Sequence, residues 1–199
     1  ANILLSFLIK EKTNGKLFWV STYHMPCAFK DPTVMLIHSA LALNHLQSLS
    51  VIKSVNYKSY NSSDTISTNL PYVLMGDFNF KPTDSMYELY TKGTLDKDHP
   101  DNPAQYELCD LNYYESNTDL SVSCVKSAYV EAHGSEPPYT NNAQVRDNPR
   151  FVECLDYIFM SKDWTVKFAS KIEKLEDEKP FPDEKNPSDH VPISITCQL

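Results

Sequence analysis

The stretch Tyr72-Val73-Leu74-Met75-Gly76-Asp77-Phe78-Asn79 is the most informative guide to the fold of this 199-residue chain. From 72 to 78 it is almost continuously apolar, which predicts a strand buried on both faces, and Pro82 ends the run. Residues 154–160 hold a second run of this kind, around Leu155-Asp156-Tyr157-Ile158-Phe159. Because a doubly buried strand needs packed layers on both sides of its sheet, the chain is predicted to form a layered α/β or α+β domain.

Shorter patterns on both sides of these runs predict the other elements. Thr13-Asn14-Gly15 is a hairpin turn signal, Asp31 followed by Pro32 is typical of a helix N-terminus, and Gly93 is placed to end a short helix. Further strands are predicted at residues 3–8, 16–23, 164–170 and 191–198. Helices are predicted at 32–55 and 85–91, with a helical turn or two within 105–117, and loops at 58–69, 96–102 and 174–187.

The composition is that of a folded protein, with 41% apolar and 22% charged residues, so disorder is excluded. No internal repeat or second domain is recognised, and residues 1–199 are interpreted as one domain. No apolar run approaches the roughly 18 residues that a membrane span needs, and no signal peptide is recognised. The five cysteines are widely spaced without a C-x-x-C pair, which favours a reducing intracellular compartment over a disulfide framework or a zinc site.

The charge balance bears on the class of partner. The formal net charge is −8 at pH 7, which argues against a protein that coats nucleic acid through a basic face. It leaves room for an enzyme that acts on nucleic acid, because a bound cation in a narrow site offsets local repulsion.

Polar side chains at the ends of predicted strands are the candidates for chemistry. They are His24, Asp77 with Asn79, Asp156, and Asp189 with His190. Asp77 and Asn79 lie two residues apart on a segment predicted to be extended, so both side chains are expected on one face. There, a carboxylate beside a carboxamide can orient a water molecule and donate to a phosphoryl oxygen. Each residue also has a structural interpretation: Gly-Asp-x-Asn can be a self-capped turn, His24 a structural histidine and Asp189 a turn cap.

Asp156 is the residue whose position most needs an explanation. A carboxylate inside an apolar strand loses hydration unless a partner compensates for it. A histidine is the natural partner, since the pair selects one tautomer and favours the imidazolium form. His190 is the best candidate, and a distance within about 3.2 Å between an Asp156 oxygen and an imidazole nitrogen is predicted.

Four motifs carry a family resemblance. They are Ser21-Thr22-Tyr23-His24, Gly76-Asp77-Phe78-Asn79, Leu155-Asp156-Tyr157-Ile158-Phe159 and Ser188-Asp189-His190. In this order and spacing the chain resembles the endonuclease/exonuclease/phosphatase superfamily, the deoxyribonuclease I-like fold. Val34-Met35-Leu36-Ile37-His38, Ser127-Ala128-Tyr129 and Glu136-Pro137-Pro138-Tyr139-Thr140-Asn141 are similar to its carbon-catabolite-repressor and nocturnin-like exoribonuclease branch. The likeness runs from Leu4 to Ile195.

The resemblance implies a two-sheet α/β sandwich flanked by helices and a magnesium- or manganese-dependent phosphodiester hydrolase. In that scheme Asp77 orients or deprotonates the attacking water and Asn79 holds a phosphate oxygen. His190, paired with Asp156, stabilises charge on phosphorus, and His24 assists.

The same resemblance implies the remaining ligands. Asp189 and Asp77 are the implied metal ligands within the chain. Phe151 stacks on a base of a single-stranded RNA or oligonucleotide, and Asn141 also binds substrate. Pro32 contacts the other side of that base, with Pro26 as a rival for this place.

One departure from the family pattern shapes the functional hypotheses. The superfamily's first strand carries an Asn and is followed by a metal-binding Glu, whereas Glu11 beside the Asn14-Gly15 turn does not match that ligand. The chain is therefore expected to be the C-terminal half to two-thirds of the family domain, with the principal Glu upstream of Ala1. The leading hypothesis is a 3′-5′ exoribonuclease, deadenylase or 2′,5′-phosphodiesterase in the cytoplasm or mitochondria. The alternatives are a non-catalytic relative within a larger assembly, where a protein partner or the missing segment covers the sheet, and a DNase or abasic-site endonuclease.

Overall fold

The computed structural model describes residues 2–51, 69–103, 120–175 and 179–199. The strands in these ranges are β1 (Leu4–Lys10), β2 (Leu17–Tyr23), β3 (Tyr72–Asp77), β4 (Thr94–Leu95), β5 (Leu120–Ser121), β6 (Lys126–Ser127), β7 (Asn141–Ala143), β8 (Phe151–Glu153), β9 (Asp156–Met160), β10 (Thr165–Ala169) and β11 (Ile195–Gln198). The helices are α1 (Pro32–Ser50), α2 (Ser85–Lys92) and α3 (Ala128–His133).

The central sheet is mixed and has the strand order β1-β2-β3-β9-β6. β1 and β2 form the predicted antiparallel hairpin. β2 runs parallel to β3, so the chain must return to the same end of the sheet between them, and α1 lies in this connection. β9 pairs antiparallel with both β3 and β6. The three remaining two-stranded ladders are β4-β5, β7-β8 and β10-β11.

Strands β3 and β9 are covered on both faces, and their alternate side chains pack into two different cores. Leu74 of β3 and Phe159 of β9 pack into the core beneath α1 and α2. Their neighbours Val73 and Ile158 pack on the opposite face, with α3 and the β10-β11 ladder. This period of two explains why the sequence is apolar without alternation, and it produces the layered mixed fold that was predicted.

The helix ends follow the predicted signals in part. Asp31 caps α1 through its side chain, which accepts a hydrogen bond from the Val34 N–H, and Gly93 ends α2 in a left-handed conformation. α1 ends at Ser50, with Val51 as its C-cap. Residues 52–55 of the predicted helix lie outside the described residues, as do 58–68 of the first predicted loop and the helical turn predicted within 105–117. Helix α3 was not predicted. It is short, and the Ser127 hydroxyl caps it by accepting from the N–H of Val130.

The last strand begins later than predicted, at Ile195 instead of 191. Pro192 has no N–H to donate to a ladder, and the N–H of Val191 donates to the carbonyl of Thr140, 2.8 Å away. The segment before β11 is therefore attached to the loop that precedes β7.

Two surface features complete the description. The edge strand β1 and the residue before it expose large apolar side chains, namely Ile3, Leu5, Phe7, Leu8 and Ile9. Within the described ranges, the helices are too short or too polar to cross a bilayer.

Candidate active site

Three strand ends bring polar side chains to one side of the central sheet. Asp77 lies directly opposite Asp156 in the β3-β9 ladder, so both side chains leave the same face. Tyr23 at the end of β2 packs into the core beneath α1, so the next residue, His24, points to the opposite face, the one shared by the two aspartates. Strand parity thus brings together three of the predicted catalytic residues.

Gly76 allows β2 and β3 to approach closely at this point. Its φ is +146°, and a Cβ built there would lie 2.0 Å from the carbonyl oxygen of Tyr23. The carbonyl of Asp77 then accepts the N–H of Met25 at 2.9 Å, which extends the contact past the end of β2. A residue with a side chain at 76 would push His24 away from Asp77.

Asp156 and His190 form the predicted pair. The His190 Nδ1 lies 2.7 Å from Oδ2 of Asp156, which confirms the predicted contact. This hydrogen bond raises the pKa of His190, while partial burial opposes it to a smaller degree. The imidazole therefore presents its other nitrogen, Nε2, to the site, with its protonated form favoured.

Asp77 lies between two imidazoles. Its Oδ2 is 3.4 Å from Nε2 of His24 and 3.9 Å from Nε2 of His190. Burial raises the pKa of Asp77 and the nearby Asp156 charge raises it further, whereas the Asn79 N–H and the two histidines lower it. A carboxylate with a raised pKa is a better proton acceptor near neutral pH than an exposed aspartate.

Asn79 reaches this site by a route that differs from the prediction. The residue has φ +53° and is not on an extended segment, so the expectation that Asp77 and Asn79 share one strand face was wrong. A tight turn brings the two together instead, because the Asn79 N–H donates to Oδ1 of Asp77 at 2.9 Å. The Asn79 amide is buried and donates to the carbonyl of Met25 at 2.9 Å and to Oδ2 of Asp77 at 3.5 Å.

Asp189 and Asn141 lie on the segments that cross beside the pair. Asn141 forms a bridge with His190, and its side-chain amide donates to Oδ2 of Asp189 at 3.4 Å. Carboxylate oxygens of Asp77 and Asp189 are the kind of ligand that a hard divalent cation takes. Across the described ranges, however, no three His, Cys, Asp or Glu side chains are grouped as a metal ion would need. The donor types fit such an ion, but the set of ligands found in these ranges is incomplete.

An aromatic pair, Phe29 and Phe151, lies at the start of β8. The ring centroid of Phe151 is 6.1 Å from that of Phe29, with 47° between the ring planes. Phe29 is about half exposed, and Phe151 is partly buried. Pro32 begins α1, and Pro26 is partly buried two residues after His24. The residue that packs against Phe151 is thus Phe29, which the sequence interpretation did not single out; its place in the short segment between His24 and α1 was the available signal.

Thr140 was also missed as part of the site. It is completely buried, and its hydroxyl oxygen accepts hydrogen bonds from the N–H groups of Leu155 and Asp156, both at 2.9 Å. Its place directly before Asn141, in the family-like segment 136–141, was the signal in the sequence.

A family model supports these assignments of fold. Residues 53–190 match the Endonuclease/Exonuclease/phosphatase family. The chain is 32% identical over 202 residues to the CCR4-Not complex 3′-5′-exoribonuclease subunit Ccr4 of Candida albicans, and covers 98% of itself and 23% of that protein. It is 27% identical over 205 residues to bovine 2′,5′-phosphodiesterase 12, covering 99% of itself and 28% of that protein. The chain thus spans about a quarter of the length of these curated relatives.

Solved structures show the same fold. ANGEL2, a 2′,3′-cyclic phosphatase solved with adenosine-2′,3′-vanadate, superposes with a TM-score of 0.66 at 20% identity, covering 96% of this chain and 60% of that one. The human Nocturnin catalytic domain superposes with a TM-score of 0.58 at 18% identity, covering 99% of this chain and 53% of that one. The chain therefore belongs to the endonuclease/exonuclease/phosphatase family, in its Ccr4-like branch.

Proposed function

We propose that this chain supplies the acid–base residues of a phosphodiester hydrolase, either a 3′-5′ exoribonuclease of the deadenylase type or a 2′,5′-phosphodiesterase. The observation that carries the proposal is the position of Asp77 between His24 and His190, with His190 held by a second carboxylate, Asp156. The named activities of the Ccr4 and 2′,5′-phosphodiesterase 12 relatives support it.

Asp77 is proposed to orient and deprotonate the attacking water. Burial raises its pKa, so its carboxylate accepts a proton more readily than a solvated aspartate does. The turn through Asn79 keeps the carboxylate oriented, because one oxygen is held by the Asn79 N–H.

His190 and its neighbours are proposed to stabilise charge on the phosphoryl group. The Nε2–H of His190 faces the site while Nδ1 is bound to Asp156, so the ring can donate to a phosphoryl oxygen as charge develops. The His24 Nε2 lies 3.4 Å from the same Asp77 oxygen, and its side chain is 73% exposed, so it can turn toward substrate. The hydrogen bond from the Asn79 amide to Asp77 is long, at 3.5 Å, so this N–H can instead donate a hydrogen bond to a phosphate oxygen.

A divalent cation, magnesium or manganese, belongs to the proposal, with Asp77 and Asp189 as its ligands from this chain. When bound, the ion would neutralise phosphate charge and help the leaving oxygen depart. Water and a glutamate from the remaining part of the family domain would complete its coordination.

The proposed substrate is single-stranded RNA or an oligonucleotide, with one base stacked on Phe151 and held in place with Asn141 and Pro32. The Phe29 ring lies beside Phe151 and adds to this apolar surface. The proposed location is intracellular, in the cytoplasm or mitochondria. We further propose that residues 1–199 form the C-terminal half to two-thirds of one family domain, whose remaining part covers β1. The exposed side chains of that strand and the 53–60% coverage of the solved chains support this.

The test is hydrolysis of 3′,5′-linked and 2′,5′-linked oligoadenylate by the 199-residue chain with magnesium or manganese. Because the ligand set among the described residues is incomplete, turnover is expected to be slow, below the roughly 1 per second of ordinary enzymes, and to disappear in Asp77→Asn. Asp163→Asn is the matched control: its carboxylate lies just beyond the far end of β9, where it accepts from the Ser161 hydroxyl at 2.9 Å.

Other outcomes separate the alternatives. Oligoadenylate binding without hydrolysis, weakened by Phe151→Ala, would favour a non-catalytic binding subunit. Internal cuts in duplex or abasic DNA would favour an endonuclease. The proposal would be overturned if the chain neither bound nor hydrolysed any of these substrates.

A further inference from the structure

We propose that Thr140 is the positioning residue of the Asp156–His190 pair. This one buried residue binds the backbone of the two segments, or arms, that carry Asp156 and His190, and so fixes their relative position. The side-chain hydroxyl accepts the N–H of Asp156 at 2.9 Å, at the first residue of β9. The Thr140 carbonyl accepts the N–H of Val191, the residue after His190, at 2.8 Å. The two members of the pair are 34 residues apart in sequence, and Thr140 is hydrogen-bonded to the backbone of Asp156 and to that of Val191, the neighbour of His190.

The hydroxyl is needed because two consecutive N–H groups share it. Leu155 and Asp156 both donate to Oγ1 of Thr140, and Thr140 itself has no exposed surface. A buried N–H without an acceptor is destabilising, so the start of β9 would shift to find another acceptor. Since the Asp156 carboxylate is attached to that shifting residue, its 2.7 Å contact with His190 would change.

Backbone contacts, not the hydroxyl, hold Thr140 and the His190 segment in place. The N–H of Thr140 donates to the carbonyl of Glu153 at 3.0 Å, so the Thr140 backbone stays attached to β8 when only the hydroxyl changes. The next two residues, Asn141 and Asn142, continue the contact with the His190 segment: Asn141 forms a bridge with His190, and the Asn142 N–H donates to the Asp189 carbonyl at 2.8 Å. A change in the hydroxyl alone therefore moves Asp156 relative to a His190 that stays attached to the backbone.

The effect of Thr140 on turnover rests on the proposed function, but its effect on the pair does not, so the test begins with spectroscopy on the full chain. Thr140→Val keeps the side-chain shape without the acceptor, and Thr140→Ser keeps the acceptor. The readouts are the downfield Nδ1 proton signal of His190 and amide exchange at Asp156. Val is expected to lose the signal and speed exchange about ten- to hundredfold, the equivalent of one lost acceptor, and Ser is expected to restore both.

Ser161→Ala is the matched control. The Ser161 hydroxyl accepts the buried N–H of Tyr72 at 3.2 Å, just after the far end of β9, so the variant also removes an acceptor of a backbone N–H at an end of this strand. It is expected to lower stability and leave the His190 signal unchanged. If turnover is measured, Thr140→Val should lower kcat with KM unchanged.

Two results would overturn the proposal. One is a Thr140→Val protein that keeps the His190 signal and the Asp156 exchange rate of the parent. The other is a Ser161→Ala protein that loses the signal to the same extent, because Thr140 would then act only through general stability. If Thr140→Val does not fold, Thr140→Ala is measured by the same criteria. Absence of hydrolysis in the parent bears on the proposed function alone.

Discussion

Replacing Gly76 by alanine should damage both the fold and the site, and the structure allows the cost to be worked out. The added Cβ would lie 2.0 Å from the carbonyl oxygen of Tyr23, and the φ of +146° is one that side-chain-bearing residues rarely adopt. Backbone strain of this kind costs about 1–3 kcal/mol, and overpacking another 1–3 kcal/mol. The sum, about 2–6 kcal/mol, is a large fraction of the 5–15 kcal/mol that stabilises an ordinary domain.

Urea denaturation measures this loss, and Gly134→Ala is the matched control. Gly134 also has a positive φ, +80°, but a Cβ there would meet no atom within 4 Å. It should cost only the left-handed conformation, about 1–2 kcal/mol. With a denaturant slope of about 2 kcal/mol per molar urea, the Gly76→Ala midpoint should fall by about 1–3 M. Equal losses in the two variants would refute the close approach of β2 and β3 at this glycine.

Three further predictions concern the site and its supports. Phe151→Ala should weaken oligoadenylate binding by about 1–3 kcal/mol with little change in the urea midpoint. The control, Phe168→Ala, removes an exposed ring and should change neither quantity. A large loss in the urea midpoint with unchanged binding would show that Phe151 is a core residue. Burial raises the pKa of Glu136 above 4.5, so its stabilising contribution is full below pH 4.5 and is lost as the pH rises through the folded pKa. In urea denaturation, Glu136→Gln should therefore gain stability relative to the parent over that range, and a variant that loses stability relative to the parent as the pH rises would contradict this. The hydrogen bond to Asp156 raises the pKa of His190 above 6.5, so the stability from the pair should be present below pH 6.5 and lost as the pH rises through the folded pKa. Urea denaturation of Asp156→Asn should not show this loss of stability with rising pH.

The pairing of Asp156 with His190 could be inferred before any coordinates because of the cost of burying a charge. A carboxylate within an apolar run has few ways to be stabilised, and the chain offers few histidines at strand ends. The buried strands β3 and β9 were predictable for a similar reason, since they are apolar on both faces and sit in the middle of a layered fold.

Asn79 shows where pattern reasoning fails. Its spacing from Asp77 suits one strand face, but the strand ends at Asp77. Asn79 then adopts a left-handed conformation, in which its buried amide donates to the carbonyl of Met25, 54 residues earlier in the chain. The start of β11 was misplaced for a comparable reason, because the N–H of Val191 takes a partner 51 residues earlier, at Thr140. Alternating apolar character does not indicate which distant carbonyl an N–H will bind.

The amino-acid sequence, taken alone, was enough for the layered fold, the family and the residues that carry the proposed chemistry. Burial preferences and the cost of a buried carboxylate are local properties, and they can be recognised in a linear pattern. The tertiary structure alone established that Asp77 lies between two imidazoles, that Phe29 packs on Phe151 and that Thr140 joins both arms of the pair. These contacts join segments far apart along the chain, and their distances depend on how sheets, turns and loops pack together, which no local pattern encodes.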